Sequence, residues 1–306
     1  MKYCDLHSDA LTTKSRPQVT KETLTCGGCF LQCFAAFVSS EEKYREALAL
    51  ADRFDAYCQE NGLRKITRAG EIGSGINALF TVEDGGAIEG SLEKLDALYA
   101  RGARMMTLIW NYPNEIGFPN FPDYEGLFAG RLPLSRRQTE LGLTPFGVSA
   151  VERMNELGVI VDVSHGSDKL VEEVGSVSKR PFVASHSGAR RICDCARNLT
   201  DGGIRLIADH GGVVGLDFCA DFSGGGDTAQ GQREALLKHA EAIIDAGGED
   251  ALALGSDFDG IPENPYLRTP ADVPDFLEEL EGAFGCRIAE KIAYGNFLRV
   301  FGEICK

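Results

Sequence analysis

The sequence predicts a (β/α)8 barrel, and three observations predict it. Eight short apolar runs, rich in β-branched residues, alternate with stretches of helical spacing. Alternation of that kind builds a parallel sheet with helices around it, and 306 residues at 43% apolar content suit one closed barrel. No Gly-x-Gly-x-x-Gly follows the first run and no P-loop occurs, so the alternative, a doubly wound open sheet, lacks its nucleotide fingerprint. No linker, internal repeat or low-complexity tract interrupts the chain, so residues 1–306 read as one domain.

The first strand is expected at 2–7 and the second at 29–38, with an acidic helix at 40–60 that Ser40 would cap. The third strand, 76–82, ends in Glu-Asp-Gly-Gly, and a helix at 91–99 follows. The fourth, 103–109, opens into a loop at 110–143 rich in Pro, Gly and aromatics; loops of that length are usually functional covers. Thr-Pro then starts a helix at 144–157. The fifth and sixth strands, 158–164 and 181–185, flank one short helix, and both are apolar runs that end in Ser-His. The seventh and eighth are 212–218 and 251–256, and further helices fill 201–210, 228–246, 273–282 and 286–304.

Composition excludes several classes. Lys plus Arg number 31 against 46 Asp plus Glu, a formal charge of −15, which argues against nucleic-acid and anionic-membrane partners. No apolar run reaches about 18 residues, so no membrane-spanning helix is expected, and no signal peptide precedes the first strand. Ten cysteines in a chain this long read as reduced thiols, which suits the cytoplasm. Cys26, Cys29 and Cys33 form a CxxCxxxC, but its apolar surroundings favour core packing over a metal site. A homodimer through outer helices is compatible with the fold, although no residue signals it.

In a barrel the chemistry gathers at the C-terminal strand ends. Read there, the sequence offers His7 and Asp9 after strand one, Glu83 after strand three, His165 and His186 after strands five and six, and Asp257 after strand eight. Three of the five histidines fall at strand ends; His210 and His239 fall in or beside helices. Each residue alone has a plain structural role, as a turn residue, a cap or a satisfied core histidine. Together they form the mixed nitrogen and oxygen set expected for zinc or a similar divalent ion. Five ligands are too many for one open four-coordinate ion and suit two ions that share a carboxylate. No lysine lies between Lys94 and Lys169, so a carboxylated lysine on strand four is excluded and Glu83 is the candidate bridge.

Seven pieces in order then carry a resemblance: Asp5-Leu-His7-Ser-Asp9, Val82-Glu83-Asp-Gly-Gly, Met106-Thr-Leu-Ile-Trp-Asn111, Asp162-Val-Ser-His165, Ser185-His186-Ser with Arg197-Asn198, Gly255-Ser-Asp257-Phe-Asp-Gly260 and Gly295-Asn-Phe-Leu-Arg-Val-Phe. Over about residues 3–302 the chain resembles the renal (membrane) dipeptidases, peptidase family M19 of the amidohydrolase superfamily, in a bacterial form. The resemblance implies a dipeptidase with two zinc ions: His7 and Asp9 on one, His165 and His186 on the other, and Glu83 between them. It also implies that Arg197 binds the substrate's C-terminal carboxylate and that Asp257 is the acid/base. Dipeptides with a C-terminal D-residue are among the implied substrates. The animal enzymes have a histidine on strand four where this chain has Trp110 followed by Asn111, so these two are the candidates for substrate contact there. Another amidohydrolase-type reaction, such as N-acyl-amino-acid deacylation, is the alternative activity, and a binding protein without catalysis is the third.

Overall fold

A computed structural model describes residues 1–12 and 15–306. Nine strands are present among the described residues: β1 (Tyr3–Asp5), β2 (Cys29–Phe37), β3 (Arg64–Ile66), β4 (Asn77–Glu83), β5 (Met105–Thr107), β6 (Ile160–Asp162), β7 (Phe182–Ser187), β8 (Val214–Leu216) and β9 (Leu252–Leu254). Eight of them form the all-parallel path β1-β2-β4-β5-β6-β7-β8-β9, and β3 pairs with β4 outside it. The path curls round on itself: Leu6 N donates to Leu254 O at 2.9 Å, and Ser8 bridges Phe258 in parallel. This is the (β/α)8 barrel that the alternation predicts. The ninth strand was not expected because Arg64 and Lys65 are exposed and only Ile66 is buried, which leaves no apolar run to read.

Alternate residues sort into two layers, as strand geometry requires. Cys4, Leu79, Met105, Ile160, Val183 and Ala253 share one cluster with Phe297, Val300, Phe301 and Ile304 of the last helix (Asn296–Ile304). Their sequence neighbours Tyr3, Phe80, Met106, Val161, Phe182 and Leu252 belong to a second cluster with the surrounding helices. The last helix thus joins the strand-side cluster. Each of its buried phenylalanines contributes about 1.5–3 kcal/mol by leaving water.

Helix starts follow local side-chain chemistry. Ser91, Thr144, Ser167, Thr200 and Thr228 each accept a backbone N–H from the first turn of the helix they precede. Ser40 does not: the helix is Lys43–Asn61, and the Glu46 carboxylate accepts the Ser39 and Ser40 N–H groups at 2.8 Å each. The expected helix at 286–304 is broken by a π turn at Lys291–Gly295. Just after it the Asn296 amide donates to Glu249 O and Leu252 O, tying the segment to the start of β9. The 110–143 loop contains one short helix, Tyr124–Phe128, capped by Asp123. No helix among the described residues is long and apolar enough to cross a membrane. Cys29 and Cys33 are buried in β2, as core packing requires, whereas Cys26 is exposed near the end of the preceding short helix (Lys21–Gly27).

Candidate active site and metal centre

The strand ends bring the expected ligands together. Glu83 closes β4 on the same side as Leu79 and Thr81, and its carboxylate is buried. Its Oε2 lies 3.4 Å from His7 Nε2, and its Oε1 lies 3.3 Å from His165 Nε2 and 3.7 Å from His186 Nε2. His7 Nε2 is also 3.9 Å from Asp9 Oδ1 and 3.7 Å from Asp257 Oδ1. Ligand atoms of His7, Glu83 and His186, and again those of His7, Asp9 and Asp257, fall within 4.8 Å of one another. The two sets overlap at His7, whose ring also stacks on that of His186 at 3.9 Å. The split of the Glu83 oxygens is the sharper guide to which groups share an ion, since each oxygen faces a different imidazole set.

Hydrogen bonds fix the tautomers. Ser185 Oγ donates its one proton to Asp162 Oδ2 at 2.5 Å, because a carboxylate only accepts. It therefore accepts from His186 Nδ1–H at 2.8 Å, which leaves the lone pair on Nε2. His165 Nδ1–H donates to Asn111 Oδ1 at 2.9 Å, so its Nε2 carries a lone pair as well. These two Nε2 atoms are 3.0 Å apart. Two facing lone pairs at that distance repel unless a cation lies between them. Nitrogens bound to zinc at about 2.0–2.1 Å with tetrahedral angles sit about 3.3 Å apart. The buried His7 Nε2 makes no hydrogen bond within the chain. The residues therefore fit divalent ions, on the chemistry of the donor set alone.

Electrostatics agree for His165 and His186. Burial pulls the His165 imidazole down to about 4, with Arg197 adding to the effect, and holds His186 well below its ordinary range. Both rings are neutral and ready to ligate at pH 7. Burial also opposes a charge on His7, but Glu83, Asp9 and Asp257 around it carry it up to about 10. Burial, and then the like charge of Asp217, pushes Asp257 well above the usual carboxylate range. His165 and Asp257 both have left-handed backbone, with φ of 65° and 60°. That conformation is uncommon away from glycine and marks a site held by its surroundings. Gly260 makes room for the acidic side: a Cβ there would come within 2.3 Å of Asp257 Oδ1 and Asp9 Oδ2.

Arg197 reaches the site from the segment after β7. It is 3% exposed, and its Nη2 donates to His186 O at 3.2 Å and lies 3.7 Å from Asp217 Oδ2. Its Nε and Nη1 make no hydrogen bond within the chain. A buried guanidinium with two such donors suits a carboxylate ligand. Trp110 and Asn111 both line the cavity of about 470 Å3 that holds Asp9, Glu83, His165, Arg197 and Asp257. Asn111 also orients His165, a role the sequence reading did not give it.

Three further residues escaped the sequence reading. Asp162 accepts from Thr107, Ser164 and Ser185. Asp5 accepts from Gln32 and Ser256. Asp217 backs Arg197. The available signal was the carboxylate two residues before His7 and three before His165.

A parallel barrel with a histidine and carboxylate cluster at its C-terminal rim defines a metal-dependent hydrolase. The model of the membrane dipeptidases, peptidase family M19, matches residues 4–306, and the chain belongs to that family, which places it among the dipeptidase enzymes. It is 33% identical over 236 residues to an uncharacterized protein in the pqqA 5′ region of Klebsiella pneumoniae, covering 73% of this chain and 80% of that protein. Against mouse Dipeptidase 3 it is 28% identical over 95% of its own length, and it spans 58% of that relative. A metallopeptidase from Rhodobacter sphaeroides has the same fold, with a TM-score of 0.85 at 22% identity and 99% coverage of both chains.

Proposed function

We propose that this chain hydrolyses the peptide bond of dipeptides, those with a C-terminal D-residue included, at a centre of two zinc ions. The observation that carries this reading is the Glu83 carboxylate, whose two oxygens face different imidazole sets. His7 and Asp9 would hold one ion, His165 and His186 would hold the other, and Glu83 would serve both. When bound, divalent ions there would supply an acidified water and a Lewis acid for the scissile carbonyl. The rest is work for side chains. Arg197 holds the substrate's C-terminal carboxylate through Nε and Nη1. Asp257, beside His7 and Asp9, takes the proton of the attacking water and passes it to the leaving amine. The R. sphaeroides relative is described with a phosphinate mimic of L-Ala-D-Ala, which supports the D-residue element. Core thiols such as Cys4 and Cys33 suit a reducing compartment, and we assign the protein to the cytoplasm.

Glu83→Gln tests the centre. Losing the shared charge should lower bound zinc from two per chain and reduce dipeptide turnover by at least about 100-fold. Metal analysis and a dipeptide assay, with an N-acyl-D-amino acid as the competing substrate, read both. Two zinc ions and full activity in the variant remove the bridging role. Cleavage of the N-acyl compound in preference to any dipeptide moves the activity to deacylation.

A further inference from the structure

Phe37 ends β2, in register with Glu83 on β4. Its ring meets Trp110 edge-on, with centroids 4.8 Å apart. Trp110 in turn lies 6.3 Å from the His165 ring and 5.5 Å from Tyr124. Phe37, Trp110 and Tyr124 line the same cavity as Glu83, His165 and Arg197. The exposed large apolar side chains among the described residues are Met1, Tyr112, Phe128, Leu134 and Leu141, so all but one belong to the 110–143 loop. Of these, Phe128 and Leu134 line the site cavity, where exposed apolar surface can meet a ligand.

The barrel order says which part of a substrate reaches it. Arg197 follows β7 and lies against Asp217, which follows β8. Phe37 and Trp110 stand on β2 and after β5, across the ring from β7 and β8. His165 follows β6, between β5 and β7, while Glu83 ends β4, between β2 and β5 and beside Phe37. A dipeptide is about 7 Å long when extended. With its carboxylate on Arg197 and its peptide carbonyl over Glu83 and His165, its first residue arrives at the Phe37–Trp110 wall. Glu125, the neighbour of Tyr124, is engaged by Tyr112 Oη at 2.7 Å.

We infer that the Phe37–Trp110 wall receives the side chain of the substrate's N-terminal residue and selects dipeptides whose first residue is bulky and apolar. This rests on the dipeptide reading above and narrows it to a substrate class. The physical basis is desolvation: an aromatic or leucyl side chain leaves water to cover the two rings, whereas a charged one loses hydration there without a partner.

The zinc-loaded enzyme tests it with phenylalanyl-alanine, leucyl-alanine, glycyl-alanine and alanyl-phenylalanine. The expected result is a kcat/KM at least about 10-fold higher for the first two than for glycyl-alanine. Trp110→Ala should cut that ratio about 10-fold, and Phe37→Ala serves the same purpose if the first variant does not fold. Trp110 is the only tryptophan in the chain, so its emission reports occupancy of the wall. Stopped-flow mixing should perturb the emission with phenylalanyl-alanine and much less with alanyl-phenylalanine. Equal kcat/KM for phenylalanyl- and glycyl-alanine, or a preference that follows the second residue, overturns the inference. An emission change with phenylalanyl-alanine but no turnover of any dipeptide keeps the wall and sinks the hydrolysis. Neither emission change nor turnover sinks both.

Discussion

Asp5 and Asp162 form the same staple at two places on the barrel. Each ends a three-residue strand and is fully buried. Asp5 accepts Ser256 N at 2.8 Å and Ser256 Oγ at 2.6 Å; Asp162 accepts Ser185 N at 2.8 Å and Ser185 Oγ at 2.5 Å. In both, the gripped serine directly precedes a site residue, Asp257 or His186. They differ in where the chain of bonds goes next. Ser185 Oγ continues to His186 Nδ1, so the staple sets a ligand's tautomer and orientation. Ser256 Oγ instead donates once to Asp5 and lies against His7 O at 3.1 Å, so the staple holds the seam between first and last strands. The lesson is that identical local chemistry orients a site imidazole at one place and closes the barrel at the other.

Alanine at both carboxylates should break the two staples most severely. Each deletion strands several buried donors at about 1–3 kcal/mol apiece, a large share of the 5–15 kcal/mol typical of a domain. Thermal melts should fall steeply for both Asp5→Ala and Asp162→Ala. Zinc titration should separate them, with affinity lost at one of two sites in Asp162→Ala and retained there in Asp5→Ala. The serines sharpen the contrast at lower cost. Ser185→Ala should weaken zinc binding about 10–100-fold because His186 Nδ1–H loses its acceptor. Ser256→Ala should destabilise by about 1–2 kcal/mol with zinc affinity unchanged. Equal zinc affinity in the two serine variants would erase the distinction.

The smallest effect concerns the segment that carries Arg197. His239 Nδ1 accepts Ala189 N–H at 2.9 Å and its Nε2–H donates to Ser223 O at 3.0 Å. Burial lowers its pKa. The unfolded chain takes up a proton near pH 6.5 that the folded imidazole refuses, so this contribution is present above that pH and lost as pH falls through it. The melting temperature should therefore drop more between pH 7 and 5 in the wild type than in His239→Gln. Parallel curves would exclude the histidine as the cause.

The barrel and the residues that cluster at its rim were legible because both are written locally. Apolar runs end in Ser-His at residues 165 and 186, and Glu83 precedes a Gly-Gly turn. Helix caps with Thr144-Pro145 were legible for the same reason. The staples were not, because Asp5 meets Ser256 across 251 positions and nothing local distinguishes that carboxylate from any other. The role of Asp217 was hidden for the same reason: it depends on Arg197 folding back beneath it. Ser40 failed as a cap because Glu46, a turn into the helix, supplies a stronger acceptor. β3 failed because its pattern is polar, and the π turn because it answers to the Asn296 tether rather than to helical spacing.

His7 and Asp257 come from opposite ends of the chain yet stand 3.7 Å apart. A nascent polypeptide leaving the ribosome therefore lacks Asp257 beside His7 until more than four-fifths of it has been made. The pair, and the seam between first and last strands beside it, can form only when the ring closes.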